Sequence, residues 1–308
     1  MKRVIPALIL ALTLAVIPIS AMESTAPPNA NGAPVAENLE LTTYRGVAVS
    51  GRLSAIDPEG DPLAYTVTTE PRKGRINMTV DGRFVYTPLE GKKGKDYFGF
   101  KACDSAGNYS QEATVIIKIE KQATTVSYAD IKGRGVEYTA LALAERDILV
   151  GERVGGSYVF EPRRQVSRGE FLAMCLKLTG AEVLSGVTRT GFADDDDIPA
   201  WVKPYVSTAL LKGVISGYSG NGTATFDATA AITFSEAAVV LSRVLELSDV
   251  ASASRMPAGD VPAWAYQAAV NLSACRILSD VSSMSDCVTR EDAAVMLMNA
   301  AAVLERRK

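Results

Sequence analysis

Two arginines stand between a hydroxyl residue and an acid, in Ser167-Arg168-Gly169-Glu170 and Thr289-Arg290-Glu291-Asp292. A hydroxyl followed three residues later by an acid is the spacing of a helix capping box, in which each side chain satisfies the other's backbone N–H. Thr233 with Glu236 repeats it, and Thr289 with Asp292 repeats it with a shorter acid. Capping accounts for the hydroxyls and the acids but leaves Arg168 and Arg290 unexplained, because a cation in the first turn opposes the helix dipole. A guanidinium fork there can grip a carboxylate through two parallel hydrogen bonds. The helix N-terminus would add N–H donors to the same anion. The competing reading is a solvated arginine or a salt bridge within the domain.

Other chemistry is thinner. The chain has 308 residues and no histidine, which removes the commonest general base and metal ligand. Asp57, Glu59 and Asp61 are spaced so that they can collect around calcium, but a turn at Pro58 and Gly60 is the better reading. The run Asp194 to Asp197 reads as a solvated loop, since it lacks the alternating ligand spacing of a calcium loop. No metal and no cofactor is expected. Cys103 and Cys175 read as buried free thiols. Cys275 and Cys287 flank one loop of about 12 residues, where a disulfide is one reading and two free thiols the other. With 32 basic and 35 acidic residues the net charge is -3, without the basic excess of a nucleic-acid binder.

The elements that position these residues come in two kinds. Over 34–120, Leu63, Tyr65 and Val67 alternate, as do Ile76, Met78 and Val80 before Asp81-Gly82 and Phe84 and Tyr86 after it, which predicts a hairpin in a small antiparallel sandwich. After the linker 121–126 the pattern turns helical and repeats. An offset of 66 residues lays Gly151 on Gly217, Phe160 on Phe226 and Ser167 on Thr233, and a third copy with a shorter loop follows. The copies are placed at 127–186, 187–250 and 255–305. Asp130, Asp194 and Asp260 are expected to cap the first helix of each copy or its leading turn. Trp201 and Trp264 precede apolar helix faces, so core packing is the leading reading and a sugar-lining role the alternative.

The β segment, with AIDPEGDPLAYTV and DGRFVYTP, resembles the bacterial Ig-like and cadherin-like repeats of surface proteins. The three helical copies resemble S-layer homology (SLH) repeats, three of which commonly form one wall-binding unit. The resemblance implies an all-β Ig-like/cadherin-like sandwich followed by an all-α three-repeat SLH domain with pseudo-threefold arrangement. In that family the motif reads Thr-Arg-Ala-Glu, and its arginine contacts an acidic secondary cell-wall polysaccharide, often one with a pyruvyl ketal. Carried over, the polysaccharide-binding residues are Arg168 and Arg290, with Trp201, Trp264, Asp130, Asp194, Asp260, Gly151 and Gly217. Three positions depart from the pattern: Gly135 for tryptophan, Phe234 for arginine and Asp280 for glycine.

Lys2-Arg3, the apolar run from Val4 to Ile17 and the small residues ending at Ala21 read as an export signal, 1–21, followed by a linker, 22–33. The expectation is an exported cell-wall, S-layer or cell-surface protein, free of the membrane once the signal is removed. It would be non-catalytic, with the Ig-like domain as spacer or adhesive module. The alternatives are an adhesin or scaffold whose main ligand, unidentified, binds the Ig-like domain, and a carboxylate-based glycan hydrolase.

Overall fold

The computed structural model describes residues 31–307 apart from 221–222, 252–255, 257–259 and 279–280. The expected export signal and residues 22–30 of the expected linker lie outside the described residues, as does Asp280.

Period-two alternation builds the first domain. Its strands are β1 (Val35–Ala36), β2 (Leu39–Tyr44), β3 (Val49–Arg52), β4 (Ala55–Ile56), β5 (Ala64–Thr69), β6 (Gly74–Met78), β7 (Arg83–Pro88), β8 (Gly94–Cys103) and β9 (Ala113–Glu120). A four-stranded sheet in the order β2-β9-β8-β5 faces a three-stranded sheet, β3-β7-β6, and β1 pairs with β4. In β9, Ala113, Val115, Ile117 and Ile119 are buried while their neighbours are not, as one core-facing side requires. They meet Tyr86, Phe84, Phe98, Phe100 and Tyr65 in one core. The Asp81-Gly82 hairpin forms, with Gly82 at φ 83° and its N–H on the Thr79 carbonyl. One pairing departs from an antiparallel sandwich: β2 and β9 run parallel, Leu39 opposite Val115 and Tyr44 opposite Glu120. β2 therefore starts beside Val115, and the chain leaves the sandwich from β9 beside Tyr44, at the other end of the sheet.

The described end of the expected linker is already part of this domain. Asn31 Nδ2 donates to Asp61 at 3.0 Å and to Asp104 at 3.3 Å, and the Gly32 N–H donates to Glu59.

The second unit contains α1 (Glu137–Glu145), β10 (Glu152–Val154), β11 (Ser157–Val159), α2 (Arg168–Thr179), α3 (Lys203–Leu211), β12 (Tyr218–Gly220), β13 (Thr223–Thr225), α4 (Phe234–Val244), α5 (Ala263–Ala274) and α6 (Arg290–Arg306). It is helical but not all-α, because β10-β11 and β12-β13 form hairpins within the loops of the first two copies. The three capped helices α2, α4 and α6 start at one closed ring of backbone hydrogen bonds. Val166 donates to Val288 at 2.9 Å, Val288 to Ile232 at 2.8 Å and Ile232 to Val166 at 3.0 Å. All three valine and isoleucine side chains are buried there.

The two units share a core, since Tyr44 and Val47 of the sandwich pack into the helical cluster. The Tyr44 hydroxyl donates to Glu145 at 2.7 Å, and Glu145 also accepts the N–H groups of Ala123 and Thr124. Among the described residues no helix is long and apolar enough to cross a membrane.

Candidate binding grooves of the helical unit

The capping boxes are present at all three helix starts: Ser167 with Glu170, Thr233 with Glu236, and Thr289 with Asp292. The remaining first-turn donors go elsewhere than expected. The N–H groups of Arg168 and Gly169 donate to the carbonyls of Ala230 and Ala228, both at 2.9 Å. Those of Phe234 and Ser235 reach Asp286 and Met284, and those of Arg290 and Glu291 reach Arg164 and Pro162. Each helix start is thus closed by the loop of the next copy around the ring. The expectation that these N–H groups help to hold an anion is corrected: orphan donors of a buried helix start must be satisfied, and the neighbouring copy satisfies them.

The same cyclic order brings residues of all three copies into one cavity of about 280 Å³. Gly151, Glu152, Arg164, Glu170, Met174 and Lys177 come from the first copy, Trp201 from the second and Arg290 from the third. Trp201 is 56% exposed and Trp264 62%, so the reading of both as core residues is corrected. α3 begins only at Lys203 and faces the core through Val206 and Ala209, which leaves the Trp201 ring outside, edge-on to Tyr205.

The two arginines are not solvated, and their surroundings differ. Arg290 has a side chain 5% exposed, stacked 5.3 Å from the Phe160 ring centroid and 3.7 Å from the Glu161 carboxylate. Its buried Nε finds no hydrogen-bond partner among the described residues. Burial lowers its pKa, and the charge of Arg164 lowers it further. The Glu170 carboxylate, the natural partner, is held instead by Arg164 at 2.6 Å. Arg168 is satisfied. Its Nε donates to the Phe226 carbonyl at 2.9 Å, its fork pairs with Glu236 at 3.1 Å, and the Tyr218 ring lies 4.5 Å away. The Tyr218 hydroxyl in turn donates to Glu236. Burial works to raise the Glu236 pKa, but Tyr218, Thr233 and Arg168 outweigh it and the carboxyl lies below its ordinary value.

The expected aspartates do a different job from capping a first helix. Asp130 accepts the N–H groups of Phe160 and Glu161 at 2.8 and 2.7 Å, and Asp194 accepts those of Phe226 and Asp227. Glu161 and Asp227 sit at φ 53° and 54°, so each aspartate fastens a left-handed corner that carries a groove phenylalanine. Asp260 is exposed, in the copy that lacks this phenylalanine. Gly151 and Gly217 are fixed by close approach: a Cβ would lie 2.2 Å from the Val159 carbonyl at Gly151 and 2.4 Å from the Phe192 ring at Gly217. Of the acidic run, Asp195 is buried and accepts from Thr190 and from Lys203 Nζ at 2.8 Å, so it is a structural anchor and not a solvated loop residue.

All four cysteines are free: Cys175 is buried as expected, whereas Cys103 is only half-buried, like Cys275 and Cys287, which corrects the reading of Cys103 as buried. Cys275 ends α5, whereas the Cys287 backbone is bridged to Thr233 beside the central ring, so the disulfide reading is corrected. In the sandwich, Asp57 accepts the N–H groups of Glu59 and Asp61 and Gly60 has φ 82°, which is a turn built by its own side chain. Among the described residues no group of three or more His, Cys, Asp or Glu is arranged to hold a metal ion.

Sequence reasoning missed Arg164, Lys177 and Tyr218. The repeat offset holds the signal, since it sets Arg164 against Ala230 and Glu152 against Tyr218.

With this geometry in place, comparison with known proteins divides along the same boundary. A family model for the bacterial cadherin-like domain matches residues 31–121, and one for the S-layer homology domain matches residues 191–238. The surface-layer 125 kDa protein of Lysinibacillus sphaericus is 33% identical over 128 residues, 40% of this chain and 10% of the relative. Amylopullulanase of Thermoanaerobacterium thermosulfurigenes is 25% identical over 194 residues, 63% of this chain and 10% of the relative. The chain spans about a tenth of the length of these curated relatives. Among solved structures, an endo-fucoidan hydrolase from glycoside hydrolase family 107 is 28% identical with a TM-score of 0.26, over 31% of this chain and 14% of that one. Human protocadherin-24 EC1-2 is 19% identical with a TM-score of 0.24, over 29% of this chain and 44% of that one. Structural likenesses of this size carry no argument. The chain carries a bacterial cadherin-like domain over residues 31–121 and an S-layer homology domain over residues 191–238.

Proposed function

We propose that the helical unit is a three-copy S-layer homology domain that anchors an exported protein to the cell wall by binding an acidic secondary wall polysaccharide. Residues 127–186, 187–250 and 255–305 are its copies, and the cadherin-like domain is a spacer or adhesive module held beyond it. The observation that carries this reading is the first groove. A buried guanidinium, Arg290, has no hydrogen-bond partner for its Nε among the described residues, and an exposed ring, Trp201, lines the same cavity. A carboxylate on a sugar, such as a pyruvyl ketal, supplies the acceptor, and the indole supplies a face for the sugar ring. The S-layer homology match and the surface-layer relative support the location at the wall.

Binding fits the groove chemistry better than catalysis. A glycosidase acid needs a raised pKa beside a second carboxylate. Glu170 and Glu236 each close a helix cap and pair with a cation, and the Glu236 pKa is lowered. Co-sedimentation of the full chain with purified walls tests the proposal, using walls with and without their secondary polymer. Binding to intact walls only is expected, and equal binding to stripped walls contradicts it.

A further inference from the structure

The three grooves are related by the repeat but have diverged in chemistry. In the first, Arg164 takes Glu170 at 2.6 Å and leaves Arg290 short of an acceptor. The repeat offset puts Ala230 at the Arg164 position of the second groove. Ala230 brings no cation to compete for Glu236, which pairs with Arg168 at 3.1 Å. Tyr218, standing where the first groove has Glu152, then closes over Arg168 and binds the same carboxylate.

The third groove has lost its ligand groups together. Phe234 replaces the arginine and Gly135 the tryptophan, both of which belong to this one groove in the cyclic order. The sandwich sits there instead. The Ser50 N–H donates to the Gly135 carbonyl at 3.1 Å, and a Cβ on Gly135 would come within 2.7 Å of the Ser50 Cβ. Arg134 joins Glu291 beside it at 3.1 Å. Gly135 has thus become a seat for the neighbouring domain, and Phe234 removes the guanidinium from the same groove.

We infer that each chain has one working anionic-sugar groove, the first, and that Arg164 opens it by holding Glu170 away from Arg290. The second groove is closed by its own Glu236 and Tyr218, and the third by the cadherin-like domain. The inference rests on the wall-polysaccharide reading and adds to it a stoichiometry and a residue that decides it. The cavity takes a single carboxylate-bearing sugar ring, its acid directed to Arg290 and flanked by Arg164 and Lys177.

The test is titration calorimetry of the full chain with a monosaccharide glycoside carrying a pyruvyl ketal, and with the same glycoside reduced at the carboxyl group. One site per chain is expected, for the carboxylate form only. Arg164→Ala and Trp201→Ala should each weaken it tenfold or more, while Leu211→Ala, an exposed side chain outside the cavity, should leave it unchanged. Arg164 is partly exposed and its structural bond to Arg290 runs through its backbone carbonyl, so the variant is expected to fold. Ala230→Arg with Tyr218→Glu copies the first groove into the second and should raise the count to two. Two sites in the parent, parent-like binding by Arg164→Ala, or a single site in the double variant would each overturn the inference. No binding by the parent would instead remove the polysaccharide reading beneath it.

Discussion

Ser50 and Gly135 join the two domains backbone to backbone at 3.1 Å, at a position where the other two helical copies carry tryptophan. The missing side chain makes this contact possible. Gly135→Trp should separate the domains without unfolding either. Small-angle scattering should show a larger radius of gyration at unchanged helix content, with ligand binding in the first groove retained. An unaltered radius would show that the glycine is not what seats the sandwich.

Ser167→Ala removes the side-chain cap of α2 and should cost about 1 kcal/mol in denaturant unfolding. The loss should stay near this value because the Arg168 and Gly169 N–H groups remain on Ala230 and Ala228. A cost several times larger would mean that the serine holds the central ring and not one helix end.

Four free thiols are expected in the protein. Burial raises the Cys175 pKa well above the ordinary thiol range, so its thiolate is scarce as well as inaccessible. Non-reducing alkylation of the folded protein should label Cys103, Cys275 and Cys287 and spare Cys175 until unfolding. Intact mass showing only two alkylatable thiols after unfolding would restore the disulfide.

Acid should weaken the fold at two named places. The Lys203 ammonium, with the N–H and hydroxyl of Thr190, holds the Asp195 carboxyl well below its usual range. Burial works to raise Glu145, but the Tyr44 hydroxyl and the N–H groups of Thr124 and Ala123 outweigh it and its pKa is also lowered. A carboxyl depressed in the folded state adds stability that is complete above its unfolded value, about 4, and is lost as pH falls through the folded value. Urea midpoints should therefore be flat from neutrality to about pH 5 and fall below about pH 4. Asp195→Asn and Glu145→Gln should each remove part of that fall. A midpoint that rises on acidification would contradict the assignment.

How far the sequence reaches can be judged from particular residues. Capping boxes are local, so Ser167, Thr233 and Thr289 could be read directly, as could the Asp81-Gly82 hairpin and the repeat of 66 residues. The partners of the first-turn N–H groups could not, because Ala230, Asp286 and Arg164 reach them only after the three copies close into a ring. Trp201 and Trp264 misled because an apolar helix face follows each: Trp201 precedes α3, and Trp264 lies in the first turn of α5 but off its buried face. The charge state of each groove was hidden for a similar reason. Whether an acid pairs with the arginine of a previous copy depends on a third residue, Arg164 or Ala230, that no local motif marks.

The central claim is that a carboxylate on the wall polymer is what the helical unit grips. The direct measurement is equilibrium binding of the full chain to purified secondary polymer before and after chemical reduction of its carboxyl groups to alcohols. Reduction leaves the sugar backbone for Trp201 and removes only the anion for Arg290. The account predicts loss of at least tenfold in affinity on reduction, and weaker binding with added salt for the native polymer alone. Equal affinity for the native and reduced polymers would contradict it.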